Sequence, residues 1–353
     1  MSGRHLRGLV VGLGSIGRRH ARNWAALGLG PLAVCRMHNA PQPEPLGVEA
    51  QVYWDLDEAL AEHAPDVVLV TNPTSLHVET ARAAIRSGAH VLVEKPFGCA
   101  LAGVAELIAA AHTAGKLLMV GYNLRFHAGL ARVRQLAHDG SIGKIVSARA
   151  EFGEYLPDWH PWEDYRQAYS ARAELGGAAI LTLSHELDAL CWVLGPPRRL
   201  VAMAEHASSL ELSTDDVAEI VLDFEAGAIG SVHVDYIRRP PRRSMELVGE
   251  AGVLRWGYER NRLELYAAST GQWRVEQGDP AFERNHMYRK ELQHFVACVR
   301  GEIARPMVDA EQGAAVLSIA LAALRSAAEG RRIDFAIDAD PLTRAWLKCL
   351  KSA

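Results

Sequence analysis

The chain has 353 residues, of which 49% are hydrophobic and 23% charged, with a formal net charge of -4. That length suits two globular domains, and the mild acidity excludes the basic stripe of a nucleic-acid-binding surface. No apolar run reaches the roughly 18 residues of a membrane-spanning helix, the first residues lack the apolar core of a signal peptide, and five scattered cysteines make no disulfide framework or zinc pair. The expectation is a cytoplasmic protein with reduced thiols, no resident metal and no membrane or nucleic-acid partner.

The first third alternates short β-branched runs with helical periodicity, the pattern of parallel strands joined by crossover helices. Residues 6–11 read as a buried strand, 14–27 as the helix that follows, 32–36 as a second strand and 37–45 as an irregular proline-rich connection. Asp55 is placed to cap a helix running to Glu62, its carboxylate accepting first-turn N–H groups. Strands over 66–71, 90–93 and 116–121 alternate with helices over 76–87 and 100–114. Together they predict one doubly wound sheet, an α/β Rossmann domain spanning residues 1–122.

Past Asn123 the apolar period changes to two, predicting strands over 145–152, 200–205, 216–224, 228–236, 245–248, 253–256 and 263–266. Turns at Glu225-Ala226-Gly227 and Glu250-Ala251-Gly252 suit antiparallel hairpins. Apolar spacing of three and four predicts helices over 177–194, 283–300 and 310–329. Residues 123–353 thus read as an α+β domain with an open, mostly antiparallel sheet carrying helices on one face.

Between the first strand and the first helix stands Gly12-Leu13-Gly14-Ser15-Ile16-Gly17. Gly12 permits the tight turn, Gly14 lets the backbone approach a pyrophosphate, and Gly17 allows close helix packing. Ser15 and Ile16 begin the helix, whose N–H groups and partial positive charge favour an anion. The ribose partner is expected about 20 residues further on, where the chain has Cys35-Arg36 and no acid before Glu44. A guanidinium there pairs with the 2′-phosphate of NADP; the other reading is a solvated Arg36 beside NAD. Downstream, Val91-Leu92-Val93-Glu94-Lys95-Pro96-Phe97-Gly98 puts the Lys95 ammonium at a strand end, where it can move protons while a nicotinamide moves hydride.

Three motifs then combine: Gly12-x-Gly14-x-x-Gly17-x-x-His20, Thr71-Asn72-Pro73-Thr74-Ser75-Leu76-His77, and Glu94-Lys95-Pro96. With Gly121-Tyr122-Asn123-Leu124-Arg125-Phe126 and the Gly176-Gly177 helix start, the chain resembles the glucose-fructose oxidoreductase, inositol dehydrogenase and MocA family, written Gfo/Idh/MocA. The resemblance covers nearly the whole chain. It implies an NAD(P)-dependent oxidoreductase acting on CH–OH groups of sugars, cyclitols or nucleotide-linked sugars, assembled as a homodimer or homotetramer through the open sheet face.

By that resemblance Lys95 lies near both nicotinamide and reacting hydroxyl, with the Lys95–Pro96 peptide a candidate for the cis form. Thr71, Asn72, Pro73, His77, Glu94 and Pro96 belong to the cofactor side, although His77 also reads as a helix-surface residue. Asn123 and Arg125 belong to the substrate side. The resemblance also implies an aspartate four residues before a histidine on the helix after Gly176-Gly177. His185 fills the histidine position as general base, but the aspartate position holds Leu181. Three accounts stay open: Lys95 and His185 suffice, another residue supplies the carboxylate, or the chain binds cofactor without turnover. Asp188 either orients His185 or joins a salt bridge.

The segment Glu154 to Arg166 has too many prolines for a helix and too many large aromatics for a solvated linker. Trp159, Trp162, Tyr165 and Arg166 therefore predict a wall over a sugar substrate, or else an oligomer contact, since Trp, Tyr and Arg are enriched there too. Arg125 and Arg166 also suit a substrate carboxylate or phosphate. The expected activity is interconversion of a secondary alcohol and a ketone by hydride transfer. The competing readings are a non-catalytic NADP-binding sensor and a biliverdin or imine reductase-like enzyme.

Overall fold

The computed structural model describes residues 5–36 and 45–352, so the proline-rich connection falls, but for Pro45, outside the described residues. The chain divides into two compact units, Met1–Asn123 with Arg284–Gly313, and Leu124–Glu283 with Ala314–Ala353. No single helix among the described residues is long and apolar enough to cross a membrane.

The first unit contains β1 (Gly8–Val11), α1 (Ser15–Ala26), β2 (Leu32–Cys35), β3 (Gln51–Tyr53), α2 (Leu56–His63), β4 (Val67–Val70), α3 (His77–Arg86), β5 (His90–Glu94), α4 (Val104–Thr113) and β6 (Leu118–Gly121). The strands form one parallel sheet in the order β3-β2-β1-β4-β5-β6. Every residue of β1, β2, β4 and β6 is buried, as continuous apolar runs must be when helices cover both faces of a parallel sheet. Burying each Val or Leu contributes about 1.5–3 kcal/mol. Strand order reverses between β1 and β4, which opens a crevice at their carboxyl ends. The β3 edge strand escapes the sequence reading because Gln51 and Val52 are exposed and only β2 pairs with it.

The second unit begins with α5 (Ala128–His138), β7 (Ile145–Gly153), α6 (Ala179–Thr182) and α7 (His185–Leu194). It continues through β8 (Pro197–Glu205), β9 (Val217–Phe224), β10 (Ile229–Asp235), β11 (Arg242–Gly249), β12 (Gly252–Gly257), β13 (Arg262–Ala267) and β14 (Gln272–Gln277). After α8 (Arg284–Val299) and α9 (Ala310–Glu329), it closes with β15 (Ile333–Asp334), α10 (Phe335–Asp338) and α11 (Pro341–Cys349). The nine strands run β14-β13-β12-β11-β7-β10-β9-β8-β15. All neighbours are antiparallel except β7 and β10. Helix α7 packs on β7 and β10, α6 on β9 and β10, and α5 on β12. The opposite face leaves Val201, Val221 and Ile229 exposed and Met203 73% exposed.

One expectation is corrected here. The single helix expected over 177–194 is two, α6 ending at Thr182 and α7 starting at His185, and the stretch Ala173–Thr182 meets His185–Leu194 at a bend of 44°. Leu181 and His185 therefore do not share the continuous helical face that a spacing of four implies.

Helix α8 returns the chain to the first unit, where it packs on α1 and buries Met287, Leu292, Phe295 and Val296. The following stretch adds an antiparallel bridge between Asp309 and Met119 beside β6.

Candidate active site

The glycine loop is shaped by backbone contacts rather than side chains. Gly12 has φ +94°, and a Cβ there would lie 2.6 Å from the Asn72 nitrogen. A Cβ on Gly17 would lie 2.0 Å from the Gly12 carbonyl oxygen. Both positions therefore exclude any side chain, while a Cβ on Gly14 would meet nothing within 4 Å. That opening faces away from packed atoms, and no side chain caps the N-terminus of α1. Free N–H groups beside a side-chain-free approach fit a dinucleotide pyrophosphate.

Thr71 stands behind the loop. Its hydroxyl lies 2.9 and 2.8 Å from the carbonyl oxygens of Val11 and Gly12, so its role is to hold the turn. Asn72 donates its Nδ2 proton to Thr80 Oγ1 at 2.8 Å and leaves Oδ1 buried without a hydrogen-bond partner. Such an acceptor is costly unless a ligand or water satisfies it. His77 is no surface residue: its Nδ1 lies 2.9 Å from the Pro96 carbonyl oxygen and its Nε2 2.9 Å from that of Asn72. Burial lowers its pKa, against the two carbonyl oxygens, which raise it. The ring ties the end of β4, with Pro73 capping the next turn, to the Lys95–Pro96 peptide, which is cis.

Lys95 follows β5 and is half-buried. Before it, Glu94 is 7% exposed, with Oε1 at 2.8 Å from His20 Nε2 and Oε2 accepting the Lys95 backbone N–H at 3.3 Å.

At the end of β2 the guanidinium of Arg36 lies over the Trp54 ring at 4.8 Å from its centroid. The surroundings are less free of acid than the sequence suggests. Burial, and then the carboxylates of Asp55 and Glu58, push the Cys35 thiol up to about 11, and Asp55 caps α2 through the Glu58 N–H at 2.9 Å.

In the second unit, Arg125 is corrected from a substrate contact to one half of an internal pair with Asp188. Both side chains are 0% exposed, and the guanidinium donates to the carboxylate at 2.7 to 3.2 Å through Nη2 and Nε. A fork engaged in this way is closed to a substrate anion. Asp188 therefore joins a salt bridge, the second of its two expected roles. Asn123 opens the adjoining turn and is buried. His185, 7% exposed, begins α7, and the neighbouring Glu186 accepts a 2.7 Å bond from Arg243 Nε. Leu181 is buried, with no carboxylate at its position.

The aromatic segment folds into short turns. Trp159 meets Tyr236 edge-on at 5.5 Å, and its Nε1 is buried without a hydrogen-bond partner. Trp162 is 74% exposed. Tyr165 Oη accepts the Glu211 N–H at 3.1 Å. Arg166 pairs with Asp164 and Glu211 at 2.9 and 3.3 Å and lines a cavity of about 600 Å³ with Arg172, Glu174, His206 and Leu210.

Residues 6–122 match the oxidoreductase family with an NAD-binding Rossmann fold, and residues 130–255 match the GFO/IDH/MocA C-terminal domain. A 1,5-anhydro-D-fructose reductase of Ensifer adhaerens is 29% identical over 285 residues, covering 78% of this chain and 81% of its own. A myo-inositol 2-dehydrogenase of Thermotoga maritima is 28% identical over 344 residues, covering 92% and 97%. Among solved structures, the WlbA dehydrogenase of Bordetella pertussis, in complex with NADH and UDP-GlcNAcA, superposes with a TM-score of 0.78 at 25% identity, covering 94% of this chain and 99% of that one.

Proposed function

The chain belongs to the Gfo/Idh/MocA family of NAD-binding oxidoreductases, and from that membership we propose that it interconverts a secondary alcohol and a ketone on a sugar, cyclitol or nucleotide-linked sugar. A bound nicotinamide supplies the hydride acceptor or donor. Lys95 handles the hydroxyl proton, with His185 as its partner base and no carboxylate at Leu181. The observation that carries this reading is Lys95, half-buried at a strand end whose next peptide is tied through His77 to the carbonyl of Asn72 beside the glycine loop. The names of the relatives supply the substrate class. The test follows NAD(P)H absorbance with a panel of sugars, cyclitols and nucleotide sugars. Turnover on one class supports the reading, and tight cofactor binding without turnover anywhere on the panel replaces it with a sensor.

Arg36 sets the coenzyme preference in this proposal. Its guanidinium, over the Trp54 ring at the end of β2, would serve as the partner for a 2′-phosphate, against the opposing field of Asp55 and Glu58. Arg36→Ala is expected to raise KM for NADP by roughly tenfold or more, the value of one charged hydrogen bond, and to leave KM for NAD within about twofold. Equal effects on both coenzymes in steady-state kinetics would return Arg36 to a bystander.

The exposed apolar face of the nine-stranded sheet is proposed as the site of self-association. Val201 and Val221 stand opposite each other, and Met203 pairs with Glu219 on the same face. Met203→Glu is expected to shift the sedimentation coefficient toward the monomer, since it places like charges in register. An unchanged sedimentation profile would exclude this face.

A further inference from the structure

On the far side of Glu94 from its bond to Lys95 lies a cluster used by no step above. His20 of α1, Glu94 of β5 and Glu291 of α8 bring their polar atoms within 4.8 Å of one another, and the three residues are 0%, 7% and 0% exposed. His20 Nε2 already meets Glu94 Oε1 at 2.8 Å, which engages the imidazole with that carboxylate. Glu291 has no hydrogen-bond partner at either oxygen.

Two carboxylates this close in a buried site cannot both be anions unless a positive charge lies between them. With His20 committed to Glu94, the remaining neutralising charge for Glu291 is a proton on itself. We propose that Glu291 is a positioning residue, held as a neutral carboxylic acid whose O–H is directed at Glu94, so that Glu94 and the Lys95 main chain are fixed from behind. The inference rests on the reading of Lys95 as the proton-handling group. The separation exceeds a hydrogen bond yet stays under 4.8 Å, a gap closed by one carboxyl rotation or one bridging water.

The surroundings agree. Burial, and then the Glu94 charge, push the Glu291 carboxyl well above the ordinary carboxylate range. His20 faces it from α1 and Glu94 from β5. From its own helix comes Tyr288, whose ring meets His20 edge-on at 6.0 Å and lies under the Arg19 guanidinium at 4.9 Å.

Infrared difference spectroscopy of the intact protein at neutral pH, parent against Glu291→Gln, tests the proton directly. The expected result is a protonated-carboxylic-acid C=O stretch in the parent that disappears in the variant. This readout needs no turnover, so it stands or falls separately from the proposed reaction. In kinetics, Glu291→Gln keeps kcat within about twofold because an amide donates the same uncharged hydrogen bond, whereas Glu291→Leu lowers kcat roughly tenfold with cofactor KM nearly unchanged. The parent loses kcat as pH rises through the Glu291 titration, and Glu291→Gln lacks that limb. Absence of the infrared band, a Gln variant as impaired as the Leu variant, or a stoichiometric divalent metal that leaves with Glu291→Gln each overturns the proposal, the last in favour of a metal centre.

Discussion

Lys95→Met is expected to lower kcat by about 10²–10⁴-fold, the usual contribution of a positioned general acid or base, and to leave NAD(P)H binding, followed by fluorescence, within about threefold. The separation of the two effects follows from the structure. Lys95 follows the β5 strand end, whereas the cradle proposed for the coenzyme consists of Gly12, Gly14, Gly17 and the uncapped start of α1. Methionine keeps the length and apolar stem of lysine and removes only the ammonium. A variant that retains kcat within about fivefold of the parent would remove Lys95 from the chemistry, and one that loses coenzyme binding as well would make it structural. His185→Asn, by the same reasoning, is expected to have the smaller effect in a lysine-led mechanism.

The second large effect concerns stability. Arg125→Ala leaves Asp188 as a carboxylate with no exposed surface and no guanidinium opposite it, a loss of about 3–5 kcal/mol for a broken buried pair. In thermal unfolding this is a fall in Tm on the order of 10 °C. The companion double variant, Arg125→Met with Asp188→Leu, is expected to recover most of that loss because the desolvation penalty leaves with the charges. Burial already outweighs Arg125 at Asp188 and holds its carboxyl above the ordinary value. A group whose native pKa is raised supports folding most below its unfolded pKa and loses that support as pH rises through the native one. The single variant should therefore be least destabilised in acid, and a pH-independent difference in Tm between it and the parent would contradict this account.

The glycine loop was legible in the sequence because Gly12 and Gly17 answer to backbone sterics, which act over a few residues. The strands of the first sheet were legible for a related reason: both faces are covered, so whole runs such as Val67–Val70 are apolar. Other features depend on partners distant in the chain. Arg125 and Asp188 are 63 residues apart, and nothing local says that the guanidinium turns inward. The break at Leu183-Ser184 carries neither proline nor glycine, so helical periodicity runs through it undisturbed. Helix α5 is masked by an ordinary amphipathic mix, and α11 is announced only by Asp340 capping Leu342 and Thr343 ahead of Pro341. Glu291 did leave a signal: it stands among Met287, Tyr288, Leu292 and Phe295 on the buried side of α8, where a charged residue is out of place.

The return of α8 into the first unit also bears on biosynthesis. The Rossmann sheet is translated first, yet α1 stays uncovered until the ribosome has passed residues 124–283 and delivered α8. At about 5–20 residues per second, the nascent dinucleotide fold waits on the order of ten seconds with an apolar flank open.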